Sequence, residues 1–172
     1  TNMLQYEIEQ AVKTVKEREL ESLLLLARAS EYKDKDTANH ILRVGKYSAI
    51  IMENLGGSHE DIELMLYSAP LHDVGKIGIS DSILNKSSKL TEYNIMKTHA
   101  TKGYEILSGT KSKYLEAGAI IALSHHEKYD GSGYPNGLKG DSIHLYGRIV
   151  AVADVFDALI SERVYKNSWT LE

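Results

Sequence analysis

Ser58-His59-Glu60-Asp61-Ile62-Glu63-Leu64-Met65-Leu66-Tyr67-Ser68-Ala69-Pro70-Leu71-His72-Asp73 reads as one amphipathic helix that closes on a histidine and an aspartate. Ser58, with Asp61 three residues on, has the spacing of an N-cap. Ile62, Met65, Leu66 and Ala69 then recur at intervals of three and four, and the His72-Asp73 doublet follows on the same inner stripe. Two titratable side chains thus stand where an apolar core is expected.

The same periodicity runs outward in both directions. Upstream, a helix from near Thr37 to about Asn54 sets His40, Val44, Tyr47 and Ile51 on one face, and Gly56-Gly57 ends it. Before it, a charged, helix-favouring stretch from about Met3 to Glu31 carries Leu4, Ile8, Val12, Val15 and then Leu20 to Leu26 as a partial stripe. That stripe suits a connecting or dimerising helix, and equally a helix that packs on its own domain. Downstream, Val74 to Gly78 reads as a turn into a loop, and Thr91 caps a helix whose Ile95, Met96, His99 and Ile106 face inward. A helix from about Tyr114 carries Leu115, Ala119, Ala122 and then His125-His126; Asp130 to Gly137 is loop; and a last helix, from about Ile149 to Ile160, carries Asp154. With two prolines, Pro70 and Pro135, and no alternating strand pattern, the chain is expected to be all-α, a multi-helix bundle with a long N-terminal helix.

Composition narrows the function classes. A chain of 172 residues with 42% hydrophobic content can bury the core of a single domain. The net charge of −4, with Lys and Arg dispersed, gives no support for a nucleic-acid polymer or a membrane surface as partner. The longest apolar run, Leu23-Leu24-Leu25-Leu26-Ala27, is far short of the roughly 20 residues a spanning helix needs. The absence of cysteine removes disulfides, thiolate metal sites and cysteine nucleophiles, and fits a reducing cytoplasm.

What remains is a series of imidazoles and carboxylates: His40, His72, Asp73, His99, His125, His126 and Asp154. One histidine on an apolar helical face is most often a hydrogen-bonded core residue. Five of the chain's seven histidines placed this way, with two aspartates, are costly to bury unless divalent cations neutralise the carboxylates and take up the nitrogen lone pairs. A nitrogen and oxygen donor set suits iron, manganese, zinc or nickel, and seven ligands exceed what one ion takes, so two ions are expected. Asp73 is the natural bridge between them, because its two oxygens can reach different ions.

The stretch His72-Asp73-Val74-Gly75-Lys76-Ile77-Gly78-Ile79, with Ile83-Leu84-Asn85-Lys86 and Met96-Lys97-Thr98-His99, resembles the HD-GYP branch of the HD phosphohydrolase superfamily. His125-His126-Glu127-Lys128-Tyr129-Asp130-Gly131-Ser132-Gly133-Tyr134-Pro135 contains the Gly-Tyr-Pro signature, and Ala151 to Leu159 matches the closing helix. The resemblance runs from about Glu31 to Trp169. It implies an all-helical domain that hydrolyses the bacterial messenger cyclic di-GMP with iron or manganese. By motif, His40, His72, Asp73 and Asp154 hold one ion, and His99, His125 and His126 the second, with Asp73 shared. The ions would lower the pKa of a bridging water, so that hydroxide attacks in line, and would neutralise the phosphoryl oxygens. Lys76 would place its ammonium on a phosphate oxygen or the leaving group; its bland alternative is a solvated surface lysine. Tyr134 would present its ring or hydroxyl to the ligand, and Arg163 and Lys166 match positions that contact phosphate and guanine.

Three departures matter. Val164 follows Arg163 where the family commonly has proline. Asp36 stands where some members carry Glu and bind a third ion, so it is either a ligand or the N-cap of the helix at Thr37, and the product is linear pGpG or, with a third ion, GMP. The chain stops soon after Ser168-Trp169, where members continue, and is read as truncated there. The division expected is a connecting or dimerising helix over 1–30 and the HD-GYP domain over 31–172. Alternatives to turnover of cyclic di-GMP are a cyclic-dinucleotide sensor, a docking module for diguanylate cyclase domains through the Tyr134-Pro135 loop, and a phosphodiesterase for another cyclic dinucleotide such as cyclic GMP-AMP. A homodimer through the N-terminal helix completes the expected partners.

Overall fold

The computed structural model describes residues 2–32, 38–84 and 90–161. Among the described residues the elements are all helical: α1 (Asn2–Glu31), α2 (Ala38–Asn54), α3 (His59–Ser68), α4 (Asp81–Leu84), α5 (Leu90–Lys97), α6 (His99–Leu107), α7 (Lys113–Ser124) and α8 (Leu145–Ile160). Tight 3₁₀ turns occupy Ala69–Leu71, Val74–Gly78 and Gly140–Ser142. The all-α expectation is borne out.

Helix α7 lies at the centre, with Ala117, Gly118, Ala119, Ile121 and Ala122 buried. Small residues there let α3, α6 and α8 approach closely. One side of the core joins Leu23 and Ala27 of α1 to Ile41, Leu64, Leu71, Val74 and Leu107; the other joins Val44 and Met65 to Ile121, Ile149 and Val150. At α3 the expected cap is present: the Ser58 hydroxyl accepts from the Asp61 amide at 3.2 Å, and Asp61 Oδ2 accepts from the Ser58 amide at 3.0 Å.

Four boundaries differ from the sequence reading. Helix α3 ends at Ser68 and does not reach His72-Asp73. Pro70 has no N–H to continue the ladder, so the backbone tightens into the Ala69–Leu71 turn, and after Asp73 a second 3₁₀ turn, Val74–Gly78, replaces the expected loop. The single helix expected across His99 is two, α5 and α6, divided at Thr98, whose hydroxyl and amide both donate to the Ile95 carbonyl. Thr91 lies inside α5, and Ile95 and Ile106 are exposed instead of facing inward, while His99, Ala100, Gly103 and Leu107 form the buried face of α6. Helix α8 begins at Leu145, before the expected Ile149, because the His144 ring caps it by accepting from the Tyr146 amide. Segment α4 was not anticipated.

Only the C-terminal half of α1 packs on the domain. Leu23 and Ala27 are buried, whereas Leu4, Ile8, Val12 and Val15 are exposed. Lys16 holds the helix down through Glu63 at 2.9 Å, which also accepts from the Tyr114 hydroxyl. The last turn of α1 lies against the Val74–Gly78 turn.

Candidate metal centre

Five parts of the chain deliver the seven side chains. His40 comes from α2 and Asp154 from α8; His72 and Asp73 lie between the two 3₁₀ turns; His99 opens α6; His125 and His126 follow the end of α7. They fall into two sets, Asp73 with His99, His125 and His126, and His40 with His72 and Asp154, and within each set the donor atoms lie within 4.8 Å of one another. Asp73 joins the sets. Its Oδ1 is 3.3 Å from His99 Nε2 and 3.7 Å from His125 Nε2, and its Oδ2 is 3.4 Å from His72 Nε2. His40 Nε2 is 3.4 Å from Asp154 Oδ1. All seven residues predicted as ligands are therefore brought to one place.

The outer nitrogens explain the inner ones. Nδ1 of His72 lies 2.9 Å from the Ala69 carbonyl, that of His99 2.7 Å from the Met96 carbonyl, and that of His125 3.0 Å from the Ala122 carbonyl. A carbonyl only accepts, so each Nδ1 carries a proton and each Nε2 faces inward, where it can offer a lone pair to a cation once it carries no proton of its own. The tight turn forced by Pro70 supplies the first of these bonds. His40 is held by a carboxylate: Asp157 Oδ2 lies 2.7 Å from its Nδ1, and Arg43 holds Asp157 with Nε at 2.5 Å and a second bond at 2.9 Å. Asp157 was not singled out from sequence. The available signal was its place three residues after Asp154, on one face of α8.

Burial and charge agree with a cationic occupant. His72 Nε2 and Asp73 Oδ1 are buried without a hydrogen-bond partner. Burial pushes His99 down to about 4, and burial with the neighbouring His125 and His99 imidazoles pushes His126 down to about 2, so both stay neutral at pH 7. Burial opposes ionisation of Asp73, but His72 and Lys76 outweigh it and hold the carboxyl well below its usual range. Burial also works against a charged His72, and Asp73 outweighs it, raising the imidazole to about 9. A cation would take over that balancing of Asp73. Inward-facing ring nitrogens, an ionised carboxylate between them and two buried polar atoms without hydrogen-bond partners fit divalent metal ions.

A profile of the HD domain family matches residues 7–172. This chain belongs to the HD-domain family. It is 53% identical over 92% of its length to the cyclic di-GMP phosphodiesterase response regulator RpfG of Xanthomonas campestris pv. campestris, and 44% identical over 92% of its length to the 3'3'-cGAMP-specific phosphodiesterase 2 of Vibrio cholerae. It spans 42% and 31% of those two proteins. Its fold resembles the crystal structure of a cyclic GMP-AMP-specific phosphodiesterase of Vibrio cholerae, with a TM-score of 0.60 at 23% identity, over 81% of this chain and 40% of that one.

Around the seven side chains the HD domain adds further groups. Lys76 is not a solvated surface lysine: its side chain is 12% exposed and its Nζ is 2.7 Å from Asp73 Oδ2. Tyr134 stacks on His126, with ring centroids 4.6 Å apart, and Lys97 Nζ lies 5.2 Å from the Tyr134 ring. The loop carrying Tyr134 is pinned by buried Glu127, which accepts from the amides of Asn136 at 2.7 Å and Leu138 at 2.9 Å. Glu31, at the end of α1, is buried 3.9 Å from Lys76 Nζ; burial pushes its carboxyl up and the Lys76 ammonium is the main influence opposing this. Arg163, Lys166 and Asp36 lie outside the described residues.

Proposed function

We propose that this HD domain is a metal-dependent phosphodiesterase that opens cyclic di-GMP to linear pGpG. The observation that carries the reading is Asp73, set between two groups of inward-facing donors with Lys76 on the same carboxylate. The name of the Xanthomonas relative supports the substrate. His40, His72 and Asp154 would hold one ion, His99, His125 and His126 the other, and Asp73 both. Bound ions of this kind supply Lewis acidity, activating water and neutralising charge on phosphoryl oxygens. Lys76 brings a further positive charge to a non-bridging or leaving oxygen. Tyr134, steadied on His126, offers an aromatic face to a base, while Arg163 and Lys166 bind phosphate and guanine. A P–O bond forms to water, one P–O bond to ribose breaks, and the ribose oxygen leaves as a hydroxyl by taking up a proton from the water, which gives the linear product with a terminal phosphate.

Iron or manganese is the proposed metal, with nickel or zinc as substitutes the donor set accepts. Asp36 is kept as the position for a third ion, which would take hydrolysis on to GMP. Residues 1–30 are proposed as a connecting helix and 31–172 as the catalytic domain. The exposed stripe of Leu4, Ile8, Val12 and Val15 supports a homodimer through that helix. Among the described residues no helix is long and apolar enough to cross a membrane, and the lack of cysteine supports a cytoplasmic setting. A second reading, cyclic GMP-AMP as substrate, is favoured by the name of the Vibrio relative.

The test is side-by-side turnover of the two dinucleotides by wild type and Asp73→Ala, with metal content measured on the same samples. Cyclic di-GMP should be the faster substrate, and the variant should lose metal and turnover together. Faster cleavage of cyclic GMP-AMP selects the second reading, and full activity in metal-depleted Asp73→Ala overturns the mechanism.

A further inference from the structure

Glu31 is the last residue of α1, where the helix's own carbonyl dipoles disfavour a carboxylate. It is 2% exposed, and neither of its oxygens accepts a hydrogen bond. A carboxylate so placed is costly unless a cation lies beside it. That cation is Lys76, with Nζ 3.9 Å from Oε1. The same ammonium is 2.7 Å from Asp73 Oδ2, so Lys76 stands between two carboxylates, of which only Asp73 falls within the two donor sets.

We propose that Glu31 is a positioning residue for Lys76: its carboxylate is a counter-charge that helps keep the ammonium at the wall of the site once Asp73 is engaged by metal ions. The inference rests on the phosphodiesterase reading above. An Asp73 that donates to two dications holds an ammonium weakly, and the ions themselves repel it. Glu31 approaches from a different element, and the Lys76 ammonium beside it is the main influence opposing the rise that burial imposes on its carboxyl. The turn that carries it is fixed, since Ala27 and Ser30 are fully buried and the Ser30 hydroxyl donates to the Ala27 carbonyl at 2.7 Å. The lysine is thereby biased toward a substrate oxygen.

The experiment is a double-mutant cycle of Glu31→Gln and Lys76→Met, read three ways on the full chain: metal content, turnover of cyclic di-GMP, and the thermal midpoint of the chelator-treated protein. Glu31→Gln should keep its metal and lower kcat about tenfold with little change in KM, the scale of a coupling between neighbours. Added to Lys76→Met, it should cost no further activity. In the metal-free protein Lys76→Met should lower the midpoint, and the added Glu31→Gln should recover part of the loss, because it removes an unpaired buried carboxylate. Additive effects on both activity and midpoint would overturn the proposal. So would loss of metal from Glu31→Gln, which would make Glu31 a ligand. If wild type itself does not turn over cyclic di-GMP, the functional reading fails, while recovery of the midpoint still supports the pairing and its absence still overturns it.

Discussion

An imidazole has two nitrogens, and the partner of the outer one decides what the inner one offers. Three histidines here use backbone carbonyls for this, and His40 uses Asp157, itself clamped by Arg43. Asp157→Asn should therefore lower metal affinity about 10–100-fold, the usual cost of removing a carboxylate behind a ligating histidine, as measured by chelator competition. The same side chains set a pH dependence. His99 and His126 have folded values depressed below the unfolded histidine value of about 6.5. Between those limits the unfolded chain binds more protons, so their share of stability is full above about pH 6.5 and is lost as pH falls toward about 4 and below. His72 acts oppositely: raised to about 9, it contributes stability that is full below about pH 6.5 and lost as pH rises through about 9. The thermal midpoint of chelator-treated protein should fall along both limbs, and His126→Asn should flatten the acid one. An unchanged acid limb in that variant would refute the assignment.

At the scale of elements, the Val74–Gly78 turn fixes Asp73 and Lys76 against the start of α6. A β-carbon on Gly75 would lie 1.9 Å from the His99 carbonyl oxygen and 2.5 Å from the Gly103 amide nitrogen, both backbone atoms that cannot swing aside. Gly75→Ala should push the turn and α6 apart, costing at least about 1–3 kcal/mol in urea unfolding and lowering metal content through His99. Near-wild-type values in both would contradict this packing. The features legible in the sequence were local ones: the Ser58 cap, the stripes of α2 and α7, and seven ligand candidates each on or beside an apolar face. The end of α3 was also written locally, in Pro70, but a continuous periodicity masked it. The break at Thr98 was not, and reading one stripe across it sent Ile95 and Ile106 to the wrong side. Asp157 and Glu31 escaped notice because their partners are distant in the chain: Asp157 meets His40 117 positions away, and Glu31 meets Lys76 only through the packing of α1 on the turn.

For the molecule as a whole, the all-helical bundle exists around a site that no single element could build. Residues from α2, the two 3₁₀ turns, α6, α7 and α8 converge on Asp73, and α1 closes the wall behind Lys76. The chain is mildly acidic, yet the buried carboxylate at its centre, Asp73, meets imidazoles and Lys76, an arrangement compatible with divalent cations. Selectivity for the anionic dinucleotide proposed as substrate would then come from the site and not from the overall charge. The most direct test is product analysis of cyclic di-GMP incubated with anaerobically prepared protein whose metal content is determined in the same sample. Two ions per chain, one for each donor set, with linear pGpG as the product is the result expected. No product from a chain carrying both ions, or undiminished product from a chain stripped of them, would contradict the account.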